Sequence, residues 1–323
     1  MFSDVHTDFI LTPLAEVLAD GVRACTPLPV GIENSALGEY FLQSLFLRVT
    51  GAQEQKLKCI CWVMATNDYR YRYELLNVKQ YGECSEYKHK KGVYLDLIAL
   101  IRGVDRTFKP VDVLADIAFP KERLAEVETA WKRKVDDNRR KQAEHIVAVQ
   151  TAKGRVLCQA TQDKILGNLM SKPYPQQDWE GHLFKEKKCQ FMRDIIMQLI
   201  AMVEHSPLTV WNHREYLFFK EHWQDIVNGK QLNLTENEFL GSGLQMYYQR
   251  LVFEHRNRIA HNTASYLKDV PTLDALADKG YVYKNYFFRF AILLVIDELL
   301  VRLFKRYREL GKNVMKRAFE SGQ

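Results

Sequence analysis

The sequence has few of the residues that mark special classes of protein. Six cysteines stand at positions 25, 59, 61, 84, 158 and 189, and the one close pair, Cys59-x-Cys61, has no second pair at ligand spacing. Neither a disulfide scaffold nor a zinc module is therefore expected, the thiols read as reduced cysteines of a cytoplasmic protein, and no metal or other cofactor is expected. There is no Gly-rich phosphate loop, no aspartate-rich metal cluster, no internal repeat, no low-complexity tract and no strand-rich segment. No uncharged apolar run suits a membrane. The most apolar stretch, Phe287 to Phe304, contains Arg289, Asp297, Glu298 and Arg302, which would be expensive in lipid, so it reads as a buried helix of a soluble protein. The opening Met1-Phe2-Ser3-Asp4-Val5-His6 carries an early acid and no basic region leading into an apolar core, so it is not expected to act as a signal peptide. Charge of one sign is also scarce: 46 Lys and Arg against 40 Asp and Glu give +6, compatible with a polyanionic partner without requiring one.

What is present is a chain of 323 residues, 47% of them hydrophobic, patterned at helical spacing and able to bury a sizeable core. The expected fold class is all-α throughout. Residues 7 to 33 are punctuated by Pro13, Pro27 and Pro29 and suit one short helix. Asn34 or Ser35 then caps a helix carrying Leu37, Phe41 and Leu45, which Gly51 is expected to end before a second, antiparallel helix from Gln53 to about Ala65. Tyr69-Arg70-Tyr71-Arg72-Tyr73 interleaves aromatics with cations. It reads as an amphipathic wall with exposed arginines, the rival reading being a base-stacking strip. A short helix is expected from Tyr94 to Val104, and Pro120 opens the most charged part, Lys121 to about Lys153, as one long exposed helix.

The prolines of Ser171-Lys172-Pro173-Tyr174-Pro175 divide the chain into an N-terminal helical region, 1–175, and a C-terminal bundle, 176–323. The bundle has four principal helices. The first has Phe191, Ile195, Leu199 and Met202 on one face, and the second Tyr216, Phe219, Trp223 and Ile226. A third follows Gly241-Ser242-Gly243. The last, after Gly280, carries Phe288, Ile292, Val295, Leu299 and Leu303, broadened by Phe287, Phe290, Leu294 and Val301. Such breadth implies burial on two sides. From Arg302 to Arg317 the tail holds seven basic residues, among them Lys305, Arg306 and Arg308, against Glu309 alone, the pattern of an RNA-backbone surface or of a solvated helix end.

The third helix ends in Glu254-His255-Arg256-Asn257-Arg258-Ile259-Ala260-His261-Asn262. An arginine five positions before a histidine occurs three times, so context selects among the pairs. Arg140 and His145 sit in a charged run and read as a solvated face. His255, five after Arg250, continues the stripe Leu244, Tyr248, Leu251 or Val252, and reads as a core-edge residue with a local hydrogen-bond partner. Arg256 and His261 differ: polar Asn257 follows the arginine, small apolar Ile259-Ala260 precede the histidine, and Asn262-Thr263 offers a helix stop. In an unbroken helix such a pair is about 140° apart. Either the helix ends between them, or both are aimed at something shared, a substrate or a second copy of the chain.

Arg256-Asn257-x-x-x-His261 resembles the Arg-x4-His motif of the HEPN superfamily, largely prokaryotic defence and toxin ribonucleases, and the resemblance covers roughly residues 178 to 323. It implies a HEPN-like helical bundle, a homodimer in which arginine and histidine of two protomers meet across a two-fold axis, and metal-free cleavage of RNA. It also implies antiphage defence or a toxin system, with control by a regulatory partner protein or antitoxin read by residues 1–175. Thr263 departs from the subgroup paired with nucleotidyltransferases, which has tyrosine there.

The residue types fit that chemistry. A histidine titrates near neutrality and can take the 2′-hydroxyl proton or protonate the leaving 5′-oxygen. Arg256 offers a permanent charge and a planar fork for the crowded phosphorane. Asn257 is a supporting residue, and Arg258, Lys305, Arg306 and Arg308 are candidate RNA contacts. One chain supplies one such histidine, so acid and base together ask for two copies. The alternatives are a non-catalytic RNA- or nucleotide-binding module and a helical interaction protein.

Overall fold

From residue 286 to 304 nearly every position is apolar, so a helix there has no polar side to give to water and must be enclosed by other elements. The computed structural model describes residues 5–31, 34–261 and 285–320, with the side chains of Ser35, His261 and residues 313–320 outside the description. In chain order the helices are α1 (Val5–Leu11), α2 (Leu14–Cys25), α3 (Ser35–Asn67), α4 (Tyr69–Asn77), α5 (Tyr87–Val104), α6 (Lys121–Ala152), α7 (Gln159–Met170), α8 (Gln176–Val203), α9 (Pro207–Trp211), α10 (His213–His222), α11 (Ser242–Tyr247), α12 (Glu254–His261) and α13 (Tyr286–Glu320). A π-helical turn, Tyr248–Phe253, links α11 to α12. Among the described residues the only β-structure is one isolated bridge between Leu232 and Leu240, so the protein is all-α there.

The chain divides into two compact units, residues 1–114 with 191–323, and residues 115–190. This differs from the expected division at residue 175, and the reason lies in α13. Its apolar residues from Tyr286 to Phe304, including Phe287, Phe288, Ile292, Ile296, Leu299 and Leu303, are all buried, and the cover comes from α1, α2, α3 and α5 as well as α10 and the π turn. Each buried Leu, Ile or Phe contributes roughly 1.5–3 kcal/mol, so helices from both ends of the sequence share one core. Residues 178–323 are thus not a bundle closed on itself. Pro173 belongs to a turn inside the second unit, where Arg139 donates to the carbonyls of Lys172 (2.8 Å) and Pro173 (2.9 Å).

In that unit Trp131 of α6 packs on Trp179 and Tyr174, at 5.1 and 5.5 Å between ring centres. Residues 121 to 152 form the single long helix that their charge suggested. The turn at Gly51 does not exist: α3 runs straight through it, because Phe46, Val49, Leu57, Ile60 and Met64 make one buried stripe. That stripe outweighs the roughly 1 kcal/mol cost of an interior glycine. Helix α5 starts at Tyr87 rather than Tyr94, its first turns carrying Lys88, Lys90 and Lys91. Trp223 and Ile226 sit in a 3-10 turn after α10 rather than on it. Asn262, Thr263 and Gly280 lie outside the described residues.

Candidate functional site

Helix α12 is uninterrupted from Glu254 to His261, so the backbone keeps Arg256 and His261 about 140° apart around one axis. The His261 side chain is outside the described residues. Arg256 is held from two directions. One guanidinium nitrogen donates to Glu54 of α3 (3.1 Å) and the other to Asn257 Oδ1 (3.3 Å). The ion pair is partly enclosed, with the Arg256 side chain 23% exposed and that of Glu54 10%. Asn257 therefore lies where an amide can orient the arginine, and α12 is tied to α3.

The pair opens onto a small cleft of about 10 Å³ whose lining includes Gln53 and Glu54 of α3, Ser85 ahead of α5, Lys90 of α5, Tyr248 and Val252 of the π turn, and Leu293 of α13. Lys90 is 1% exposed, its ammonium 5.5 Å from the centre of the Tyr248 ring. Burial presses the Lys90 ammonium down to about 8, against the pull of Glu54. Tyr248 donates its hydroxyl to the Ser85 carbonyl, and Gln53 donates to the Leu293 carbonyl (2.9 Å) while its own Oε1 is buried without a partner among the described residues. The arrangement places two cations, one carboxylate and an unsatisfied acceptor at one opening, a setting suited to a polar or anionic group. Sequence reasoning missed Lys90, Gln53 and Glu54. The signal was present as polar residues at core positions: Lys90 starts the stripe Val93, Tyr94, Leu97, Ile101, and Gln53 falls between Val49 and Leu57.

His255 lies on another side of α12, next to a second buried network. Its Nε2 is 3.0 Å from the Tyr286 hydroxyl and its Nδ1 3.3 Å from Arg258. Burial, then the charges of Arg289 and Arg258, depress its pKa to about 2. A ring kept neutral in this way packs; it does not shuttle protons near neutrality. Tyr286 also reaches Glu39 (3.4 Å), and Arg289 donates to the Leu251 carbonyl (2.9 Å) with its guanidinium 4.5 Å from the Tyr286 ring. This fixes the π turn that leads into α12. Glu215 accepts from the Tyr286 backbone (3.2 Å), and burial together with Glu39 pushes it up to about 7.

The remaining candidates are dispersed. Arg258 is exposed. In the basic tail Arg306 is paired with Asp105 (3.0 Å), Lys305 is exposed and Arg308 half-buried. Tyr307 accepts from Asn67 at the end of α3 (3.3 Å). Asn67 is 13 residues beyond Glu54 on that helix, so the tail joins α3 about 20 Å along its axis from Arg256. Of the Tyr69–Tyr73 strip, Tyr69 and Tyr73 are exposed, while Tyr71 is buried and donates to Asp96 (2.9 Å). Cys59 Sγ sits 3.5 Å from His6, and burial pushes the Cys61 thiol up to about 12. Among the described residues no three His, Cys, Asp or Glu side chains gather as a metal-binding group. No helix there is long and apolar enough to cross a membrane. No family model, curated protein or solved structure matches the chain.

Proposed function

We propose that the chain is a HEPN-like, metal-independent endoribonuclease acting as a homodimer in the cytoplasm, in antiphage defence or a toxin system under a regulatory partner. The observation that carries the reading is Arg256: a guanidinium fixed by Glu54 and Asn257 at the mouth of a cationic cleft, on the same helix as His261. In the reaction the RNA 2′-oxygen attacks phosphorus as its proton passes to a base, and the bond to the 5′-oxygen breaks as an acid protonates that oxygen. The products are a 2′,3′-cyclic phosphate and a 5′-hydroxyl. Arg256 neutralises the phosphorane, and His261 of each of two copies supplies one proton-transfer group. Arg258, Lys305 and Arg308 bind the RNA backbone, as does Arg306 where Asp105 leaves it free to do so.

A second reading, an inert RNA- or nucleotide-binding module, is favoured by the Glu54 carboxylate, which occupies part of the fork that a phosphate would use. One experiment separates the two. Wild-type and His261→Ala proteins are incubated with single-stranded RNA in the presence of chelator. Cleavage that resists chelator and disappears in the variant supports the nuclease; binding without cleavage in both replaces it with the binding module.

A further inference from the structure

We propose that the cleft beside Arg256 receives one oxygen of a phosphate group, with Lys90 as its second cation. The inference rests on the reading that this chain acts on RNA, and it names the contact that the N-terminal half makes with the substrate. A space of about 10 Å³ admits about one water-sized group, so a single phosphoryl oxygen enters while the rest of the phosphodiester stays at the mouth. The mouth is where the Arg256 guanidinium lies, with two of its donors engaged by Glu54 and Asn257 and the others available to a second oxygen.

The charge balance points the same way. Among the lining residues Lys90 and Arg256 share one carboxylate, Glu54, of which Arg256 already takes an oxygen at 3.1 Å; Asp297 and the Cys84 thiol also act on Lys90, but Asp297 is balanced by its own partner, Lys56. The cleft therefore holds one positive charge in excess, enclosed by Val252 and Leu293, where an unbalanced charge is costly until an opposite one arrives. Lys90 has three N–H donors. Gln53, 1% exposed, turns an unpaired Oε1 to the same space. One ammonium can bond that oxygen and a ligand oxygen together. Neither a purely apolar core position nor a closed ion pair would look like this.

The test uses the full chain and a fluorescent single-stranded oligouridylate whose 2′-hydroxyls are methylated, so that it binds without being cut. Affinity is read by anisotropy at fixed low salt across pH 6.5 to 9.5. Lys90→Met is expected to weaken binding about tenfold or more. Wild-type affinity should fall through a step near pH 8, where Lys90 loses its charge, and the variant should lack that step. Methionine replaces a buried charge with an apolar chain of similar length, so folding is expected to persist, and a thermal melt checks it. If the variant fails to fold, the wild-type pH series decides alone, and a flat profile overturns the proposal. Equal affinity of folded Lys90→Met and wild type overturns it as well. Competition by inorganic phosphate supports a site for any phosphate; competition by oligonucleotide alone supports the RNA phosphodiester. Lys90-dependent binding without cleavage of unmodified RNA keeps the cleft and removes only the nuclease.

Discussion

Replacing Lys56 with methionine should unfasten the first unit at the most deeply buried ion pair among its described residues. Lys56 of α3 lies 3.0 and 2.9 Å from the two oxygens of Asp297 on α13, with the two side chains 3% and 5% exposed, and Asp297 also accepts the backbone N–H of Leu14 at 2.8 Å. One carboxylate thus ties α3 and α13 to the start of α2. Removing one partner of such a pair costs about 3–5 kcal/mol, because the other is left as an uncompensated buried charge. Removing both, as Lys56→Met with Asp297→Leu, leaves mainly the Leu14 N–H without an acceptor, about 1–3 kcal/mol. The double variant should therefore be more stable than Lys56→Met alone by about 2 kcal/mol, the difference of those two costs. Urea unfolding of the full chain measures this as a shift in midpoint at constant slope for the transition of the unit that contains α13. Burial already raises the Asp297 pKa, and without Lys56 it should rise further. A carboxyl whose folded pKa lies above its unfolded value contributes stability below the unfolded value and loses it as pH rises through the folded one. Lys56→Met should accordingly weaken from acid toward neutral pH more steeply than wild type. A single variant within about 1 kcal/mol of wild type, and no worse than the double, would refute the account of the pair.

Glu54→Gln should lower stability by about 1–3 kcal/mol, less than a fully buried pair because the Arg256 side chain keeps some contact with water. The proposed RNA cleavage should survive it, since the amide oxygen still accepts from the guanidinium; lost cleavage at unchanged stability would assign Glu54 to the chemistry instead of to holding Arg256. Glu215, pushed up to about 7, should make stability fall as pH rises from its unfolded value near 4.5 toward 7, by up to roughly 2–3 kcal/mol. Glu215→Gln should flatten that slope, and an unchanged slope in a melt series would show that the group titrates normally.

How far the sequence could be read depended on whether a feature is local. The helical class and the span of α6 were legible because charge pattern and period act over neighbouring residues, and Pro120 marks where the helix begins. The division of the chain was not, because what sets it is the enclosure of residues 286–304 of α13, and no local signal says that much of the cover comes from residues 5 to 104. Gly51 misled for the same reason: its propensity to end a helix is local, and the buried stripe that overrides it is defined by distant partners. At the candidate site Arg256 and Asn257 are adjacent and were visible together. Glu54 and Lys90 meet them only through the fold, and they announced themselves solely as charges at apolar positions.

The enclosure of α13 also alters the case for a composite site. The apolar breadth between Phe287 and Phe304 could have been covered by a second copy, but those side chains are buried within a single chain. The seam of the proposed homodimer would then lie elsewhere, and two motives for it remain. One is the unbroken α12: Arg256 faces Glu54 of α3, and residue 261 is placed on the helix about 140° away from that direction. The other is the need for two proton-transfer groups where His255 is held neutral by burial and only His261 is left on α12. In the proposed homodimer, residue 261 of one copy would therefore approach the Arg256 cleft of the other, through a contact surface on the outer side of α12 and not on the apolar part of α13.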